Sequence, residues 1–150
     1  MMELFDTARI SRHPLKTAID DHWFVISVGF METSTQLPYD LEERLVLYAS
    51  NIARFSLALH YSEPMRYYSS QLIRSSGSVA LNYGEVLGTQ TQKDYINKAS
   101  IVLKELKESR VALKIVRELG ARGNTAPLLN ETEQLIKIIA SLIKKKKGFH

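Results

Sequence analysis

Cysteine is missing from all 150 residues, which closes off disulfide frameworks, thiolate zinc sites and iron–sulfur clusters. Glycine (7) and proline (4) are scarce, so the chain is neither collagen-like nor a Pro/Gly-rich low-complexity polymer. Long apolar runs are lacking as well. The longest, around Trp23–Phe30, contains Ser27 and Gly29 and falls far short of the roughly 20 residues of a bilayer-spanning helix. Asp20 and Asp21 precede it where an export signal carries positive charge, and no A-x-A-like cleavage site follows. These absences leave a cytoplasmic chain without a membrane partner as the expectation. The 45% of hydrophobic residues suffices for the buried core of one domain.

Catalytic signatures are missing too. There is no E-x-x-H, H-E-x-x-H, Walker loop or G-x-S-x-G, and His13, His22, His60 and His150 are scattered. Glu105 and Glu108, three residues apart on one helical face, could share a metal, yet Lys104 and Lys107 flank them and no histidine joins them. The reading is no enzyme, no metal and no cofactor.

What is present is helical periodicity. From Asp40 onward four patterns follow one another without strand alternation, which predicts an all-α, antiparallel up-down-up-down four-helix bundle. Asp40 and Glu43 form a capping box for the first helix, whose apolar residues Leu41, Leu45, Tyr48, Ile52, Phe55 and Leu59 repeat at spacings of four and three. Pro64 sits in the first turn of the second helix, which runs to about Leu87 along Leu72, Ser76, Val79, Tyr83 and Val86, with Gly88 as its stop. Gly77 in its interior costs roughly 1 kcal/mol relative to Ala, which something tertiary must offset. Thr91 and Asp94 open the third helix, striped by Ile96, Ala99, Leu103, Leu106, Arg110 and Leu113 and ending at Gly120. After a loop with Gly123, Asn124 and Pro127, Asn130 and Glu133 are expected to cap the fourth. Its Leu135, Ile136, Ile138, Ile139, Leu142 and Ile143 form a face wider than one seam needs, which predicts burial against further copies.

Residues 1–37 do not share this logic. They are read as an N-terminal extension, with Met31 as an alternative start, ahead of a bundle over 38–147 and a tail over 148–150. Residues 1–30 are slightly acidic, whereas residues 101–150 hold eight Lys and three Arg against five Glu, within a chain of net charge +4.

Four stretches carry a family resemblance: Y-D-L-E-E-R-L at Tyr39–Leu45, Q-L-I-R-S-S-G-S-V-A-L-N-Y-G-E at Gln71–Glu85, K-D-Y-I-N-K-A at Lys93–Ala99 and K-E-L-K-E-S-R at Lys104–Arg110. Over about residues 38–147 the chain resembles the four-helix-bundle proteins encoded in intervening sequences of 23S ribosomal RNA genes, the S23 proteins. The second stretch is the most specific. Tyr95 stands for the commoner Phe and Val86 for the commoner Ala, both keeping apolar character. The resemblance implies an antiparallel bundle that assembles into a homopentameric barrel without known enzymatic activity. The chain is also similar in fold to the accessory variability protein of diversity-generating retroelements, which binds nucleic acid and a reverse transcriptase; that likeness bears on fold first.

Pairing the second and third helices antiparallel puts Arg74 opposite Glu105, Gln71 opposite Glu108, and Asn82 and Glu85 opposite Lys98, a polar ladder that fixes register. Arg110 interrupts an apolar stripe with no acid at its level in the second helix. It has to pair near Glu108, reach a subunit interface, or meet solvent or an anion. Lys144, Lys145, Lys146 and Lys147 complement the helix dipole and attract phosphate. Arg74, Arg110, Arg117, Arg122 and Lys144–Lys147 are therefore the candidate contacts of a homo-oligomer that binds structured RNA or DNA with little base specificity. The alternative is an interaction scaffold that docks a nucleic-acid enzyme such as a reverse transcriptase through Arg44, Arg54 and Lys137 on exposed helix faces.

Overall fold

Local capping chemistry places the helices. Asp40 Oδ1 accepts a hydrogen bond from the Glu43 amide at 3.1 Å and starts α1 (Leu41–Leu57). Ser62 Oγ accepts from the Met65 amide at 3.4 Å ahead of α2 (Glu63–Leu87), with Pro64 in its first turn. Thr91 Oγ1 accepts from the Asp94 amide at 3.1 Å and opens α3 (Gln92–Glu118). The computed structural model describes residues 40–59 and 62–148, all within the unit Tyr39–His150. The expectations for the extension 1–37, for Met31, for the His60–Tyr61 turn and for the last two residues fall outside the described residues. Asp40→Ala removes the α1 cap and should cost about 1 kcal/mol, read as a lowered urea midpoint with an unchanged slope.

The end of α3 and the start of α4 (Ala126–Lys147) explain one correction. Gly120 adopts φ +81°, the Ala121 amide donates to Val116 O at 3.2 Å and the Gly120 amide donates to Arg117 O at 3.0 Å, the two bonds of a Schellman stop. Gly123 follows at φ +138°, with the Phe55 ring 3.0 Å from where a Cβ would sit, so a side chain is excluded there twice over. Asn124 Oδ1 then takes the Ala126 amide at 3.0 Å, and Pro127 lies in the first turn of α4. The fourth helix thus begins at Ala126, not at the expected Asn130–Glu133 box. A proline that reads as loop punctuation supplies a preset φ inside the helix.

The helices form an antiparallel four-helix bundle. Among the described residues there is no strand. Consecutive helices pack side by side and α1 also meets α4. The pairing is visible in individual contacts: Arg74 of α2 meets Glu105 of α3, Arg110 of α3 meets Glu133 of α4, and near the two ends of α1 Arg44 meets Glu131 and Phe55 meets Gly123. Leu45, Ile52, Leu72, Leu106, Leu113, Leu135 and Ile139 are fully enclosed, each contributing about 1.5–3 kcal/mol of apolar burial.

The buried seam of α3 is Ala99, Val102, Leu106, Ser109, Leu113 and Val116, displaced from the expected stripe. Ile96, Leu103 and Arg110 sit at its margins, half-buried, because α2 and α4 approach α3 from two sides and its centre turns toward Val102 and Ser109. The surplus apolar surface is also relocated. Ile136, Ile138 and Leu142 of α4 are half-buried, while the exposed large side chains include Val46 and Leu57 of α1, Ile73 and Leu81 of α2, and Val111 of α3.

One layer of the core is polar and draws a hydroxyl from each helix. The Tyr48 hydroxyl lies 2.9 Å from Thr132 Oγ1, and Ser75 Oγ lies 2.8 Å from Ser109 Oγ. Thr132 donates to Leu128 O at 2.6 Å. Its proton being used, Tyr48 donates to Thr132; Ser75 likewise donates to Leu72 O at 3.2 Å, so Ser109 donates to Ser75. Burial pushes the Tyr48 hydroxyl up to about 12.

Candidate nucleic-acid interface

The sequence-predicted arginines are largely neutralised by carboxylates. Arg74 spreads over three acceptors: Glu108 Oε2 at 2.7 Å, Glu105 Oε2 at 3.4 Å and Gln71 Oε1 at 3.2 Å. This ion pair holds the Glu108 carboxyl below the ordinary carboxylate range and raises the Arg74 guanidinium. Gln71 and Glu108 therefore converge on Arg74 instead of on each other. Glu85 pairs with Lys98, whereas Asn82 donates to Ser78 O of its own helix at 2.7 Å. A short amide reaches the carbonyl one turn back in its own helix, sharing that acceptor with the helical backbone bond, without crossing to α3, and this takes Asn82 out of the expected ladder.

Arg110 finds its acid on α4: its Nη1 donates to Glu133 Oε1 at 3.0 Å. The Glu108 neighbourhood is occupied by Arg74 and does not serve it. Arg117 bonds the adjacent Glu118 through two nitrogens at 2.9 and 3.1 Å. Arg44 is the largest departure. Its Nε donates to Glu131 Oε1 at 2.7 Å, and its Nη2 donates to Glu131 Oε2 and to Gln134 Oε1, both at 2.9 Å. With 16% of its side chain exposed, it is a bidentate α1–α4 clamp and not part of a free docking face. Arg54 and Lys137 are exposed.

The cations that keep their charge lie elsewhere. Lys144–Lys147 fill the last turn of α4 and are exposed. They adjoin the start of α3, where Gln92 Nε2 donates to Lys146 O at 2.6 Å and the Lys146 ammonium stands 5.0 Å from the Tyr95 ring centre. From there Lys93, Lys104, Lys107 and Lys114 run along α3, all exposed. Their offsets of 11, 14 and 21 residues return to one side of a 3.6-residue helix and extend it over roughly 30 Å. Within this row only Lys104 has a carboxylate partner, Glu108 at 3.5 Å. Arg117 and Arg122 belong to the opposite end of the bundle from Lys144–Lys147, so the predicted contacts do not form one patch. The α3 row was missed because those lysines were read singly, although their spacing was available.

The end that carries Lys144–Lys147 is laterally uneven. Asp40, Glu42 and Glu43 begin α1 at this end, close enough to Tyr83 of α2 for Glu42 and Asp40, after burial and Tyr95, to add to the upward shift of its hydroxyl. The α1 side thus carries Asp40, Glu42 and Glu43, whereas the α3–α4 side carries Lys93 and Lys144–Lys147 with one acid, Asp94, in the first turn of α3. Among the described residues no group of three or more His, Cys, Asp or Glu side chains is placed to hold a metal ion, and no helix is long and apolar enough to cross a membrane.

Comparison with known proteins completes the picture. No curated protein matches the chain. Among solved structures, a protein of unknown function from the S23 ribosomal protein family of Bacteroides thetaiotaomicron superposes with a TM-score of 0.61 at 24% identity, covering 69% of this chain and 97% of that one; at this identity the likeness is one of fold. The model of the 23S rRNA-intervening sequence protein family matches residues 46–141, from within α1 to within α4. With most of the bundle inside that match, the chain belongs to the 23S rRNA-intervening sequence protein family.

Proposed function

We propose that this is a non-enzymatic, cytoplasmic, self-associating bundle that binds RNA or DNA through charge, with little base specificity. The observation that carries the reading is the row of exposed lysines on α3 continuing into Lys144–Lys147, with a single carboxylate, Glu108, engaging the row. From Tyr39 onward 17 Lys and Arg face 11 Asp and Glu, and four of the arginines pair with five of the acids. The exposed row itself consists of ammonium groups, which neutralise phosphate as point charges and carry no base readout. Filter binding of an RNA hairpin at several salt concentrations tests it. Affinity that falls linearly with log salt is the expected result; absent binding at low salt, or affinity indifferent to salt, overturns it.

Self-association is supported by α2. Gly77 lies in the middle of that helix, and a Cβ built on it meets nothing within 4 Å. Within one protomer it therefore costs helix stability with no compensating contact. A second copy packed closely against Gly77 and Ala80, between Ile73 and Leu81, supplies that contact, in the pentameric ring that the family resemblance implies. Gly77→Ala should stabilise the isolated protomer by about 0.5–1 kcal/mol, and Gly77→Leu should lower the assembled mass in light scattering. A wild-type particle of 17.1 kDa removes the ring. The scaffold alternative has less behind it, since Arg44 is enclosed between α1 and α4.

A further inference from the structure

Beside the lysine row, α2 and α3 frame a shallow depression of about 550 Å³, within the size range of ligand sites. Its apolar lining includes Tyr67, Tyr68, Leu103, Val111 and Ile115; Lys104 and Lys107 stand on its rim, together with Glu108, whose carboxylate is taken up by Arg74. The two tyrosines are adjacent in sequence and meet edge to face, with ring centres 5.1 Å apart and planes at 83°. Tyr68 is half-buried and holds its neighbour, whereas Tyr67 keeps 59% of its surface in water. An exposed aromatic ring, braced from one side and flanked by ammonium groups, differs from the rest of the row, which offers charge alone.

We propose that this depression receives an unpaired nucleobase, stacked on the Tyr67 ring, while Lys104 and Lys107 hold the phosphates on either side of it. The occupant follows from the chemistry of the rim. Lys107 has no ion pair among the described residues, and Lys104 is 71% exposed at its contact with Glu108, so an anionic backbone is favoured over a neutral or cationic partner. The apolar floor asks in turn for a flat, weakly hydrated group between the charges. A base within a duplex has its faces covered by its neighbours and cannot supply this, whereas loops, bulges and single strands can. The inference rests on the nucleic-acid reading above and adds to it a preference for unpaired segments that tolerates any base.

The test compares a 20-nucleotide oligouridine RNA with a 20-base-pair RNA duplex, both end-labelled, by fluorescence anisotropy at several salt concentrations. Wild-type protein should bind the single strand more tightly. Tyr67→Ala should weaken that binding about 5- to 100-fold with little change in salt slope, and Tyr67→Phe should retain it, because the ring and not the hydroxyl stacks. Lys104→Gln with Lys107→Gln should instead make the single-strand slope shallower by roughly 1.4. Tyr67 is exposed, so these variants should fold, and circular dichroism checks that they do. Wild-type binding to both probes with no effect of Tyr67→Ala, or an equal loss on the duplex, overturns the stacking site and leaves the charge reading standing. Absence of binding to either probe overturns both.

Discussion

Tyr48→Phe should destabilise the bundle by about 1–3 kcal/mol and at the same time flatten its alkaline unfolding limb. The first effect is the loss of a buried hydroxyl bonded to Thr132, which leaves that partner unmatched in a buried layer. The second follows from linkage. An unfolded tyrosine ionises near pH 10, whereas the folded Tyr48 hydroxyl is pushed up to about 12 by burial. Between those values the unfolded chain has released the proton and the folded chain has not. Stability is therefore present in full below about pH 10 and falls as pH rises toward 12, by roughly 2–3 kcal/mol in all. Urea midpoints of wild type and variant should converge across that window. Parallel alkaline limbs would show that Tyr48 titrates in the folded state as it does in water.

Replacing Lys144–Lys147 with glutamine should make the salt dependence of hairpin binding shallower by roughly 3 to 4 in slope, at about 0.9 per duplex phosphate contact. At 50 mM salt the affinity should fall more than tenfold. Arg117→Gln, at the far end and already bonded to Glu118, should leave the slope unchanged. The stability of the quadruple variant should drop only slightly, since the attraction of four exposed lysines to the helix C-terminus is screened by salt and offset by their mutual repulsion. An unchanged slope would place the phosphate contacts elsewhere on the bundle.

Periodicity and capping residues made most of this fold readable beforehand. Asp40 and Thr91 act through bonds to residues three positions away and Pro64 through its own fixed φ, and such information is local in the sequence. The start of α4 was misread because Asn124 and Pro127 act together, and either residue alone reads as loop. Pairings within the α2–α3 hairpin were partly accessible, because a short turn fixes which residues face one another; Arg74 with Glu105 and Glu85 with Lys98 follow from that register. Arg110 with Glu133 and Arg44 with Glu131 join helices through longer connections, where a shift of one turn changes the partner. The hydroxyl layer was illegible for another reason. Ser75, Ser109 and Thr132 are small enough to pass as packing residues, and their role depends on all four helices placing them at one height.

Under the proposed nucleic-acid binding, the uneven end of the bundle has a consequence for the approach of a polyanion. With Asp40, Glu42 and Glu43 at one margin and the terminal ammonium groups at the other, each protomer carries a transverse electric moment. In the field of a phosphate chain a free protomer would be rotated before collision, so that productive encounters would begin from the lysine margin, whereas in a closed ring the transverse moments cancel and the protein would approach unrotated. Capture of the free protomer at low ionic strength would then be faster than random orientation allows, and added electrolyte would slow its arrival as well as hasten its departure.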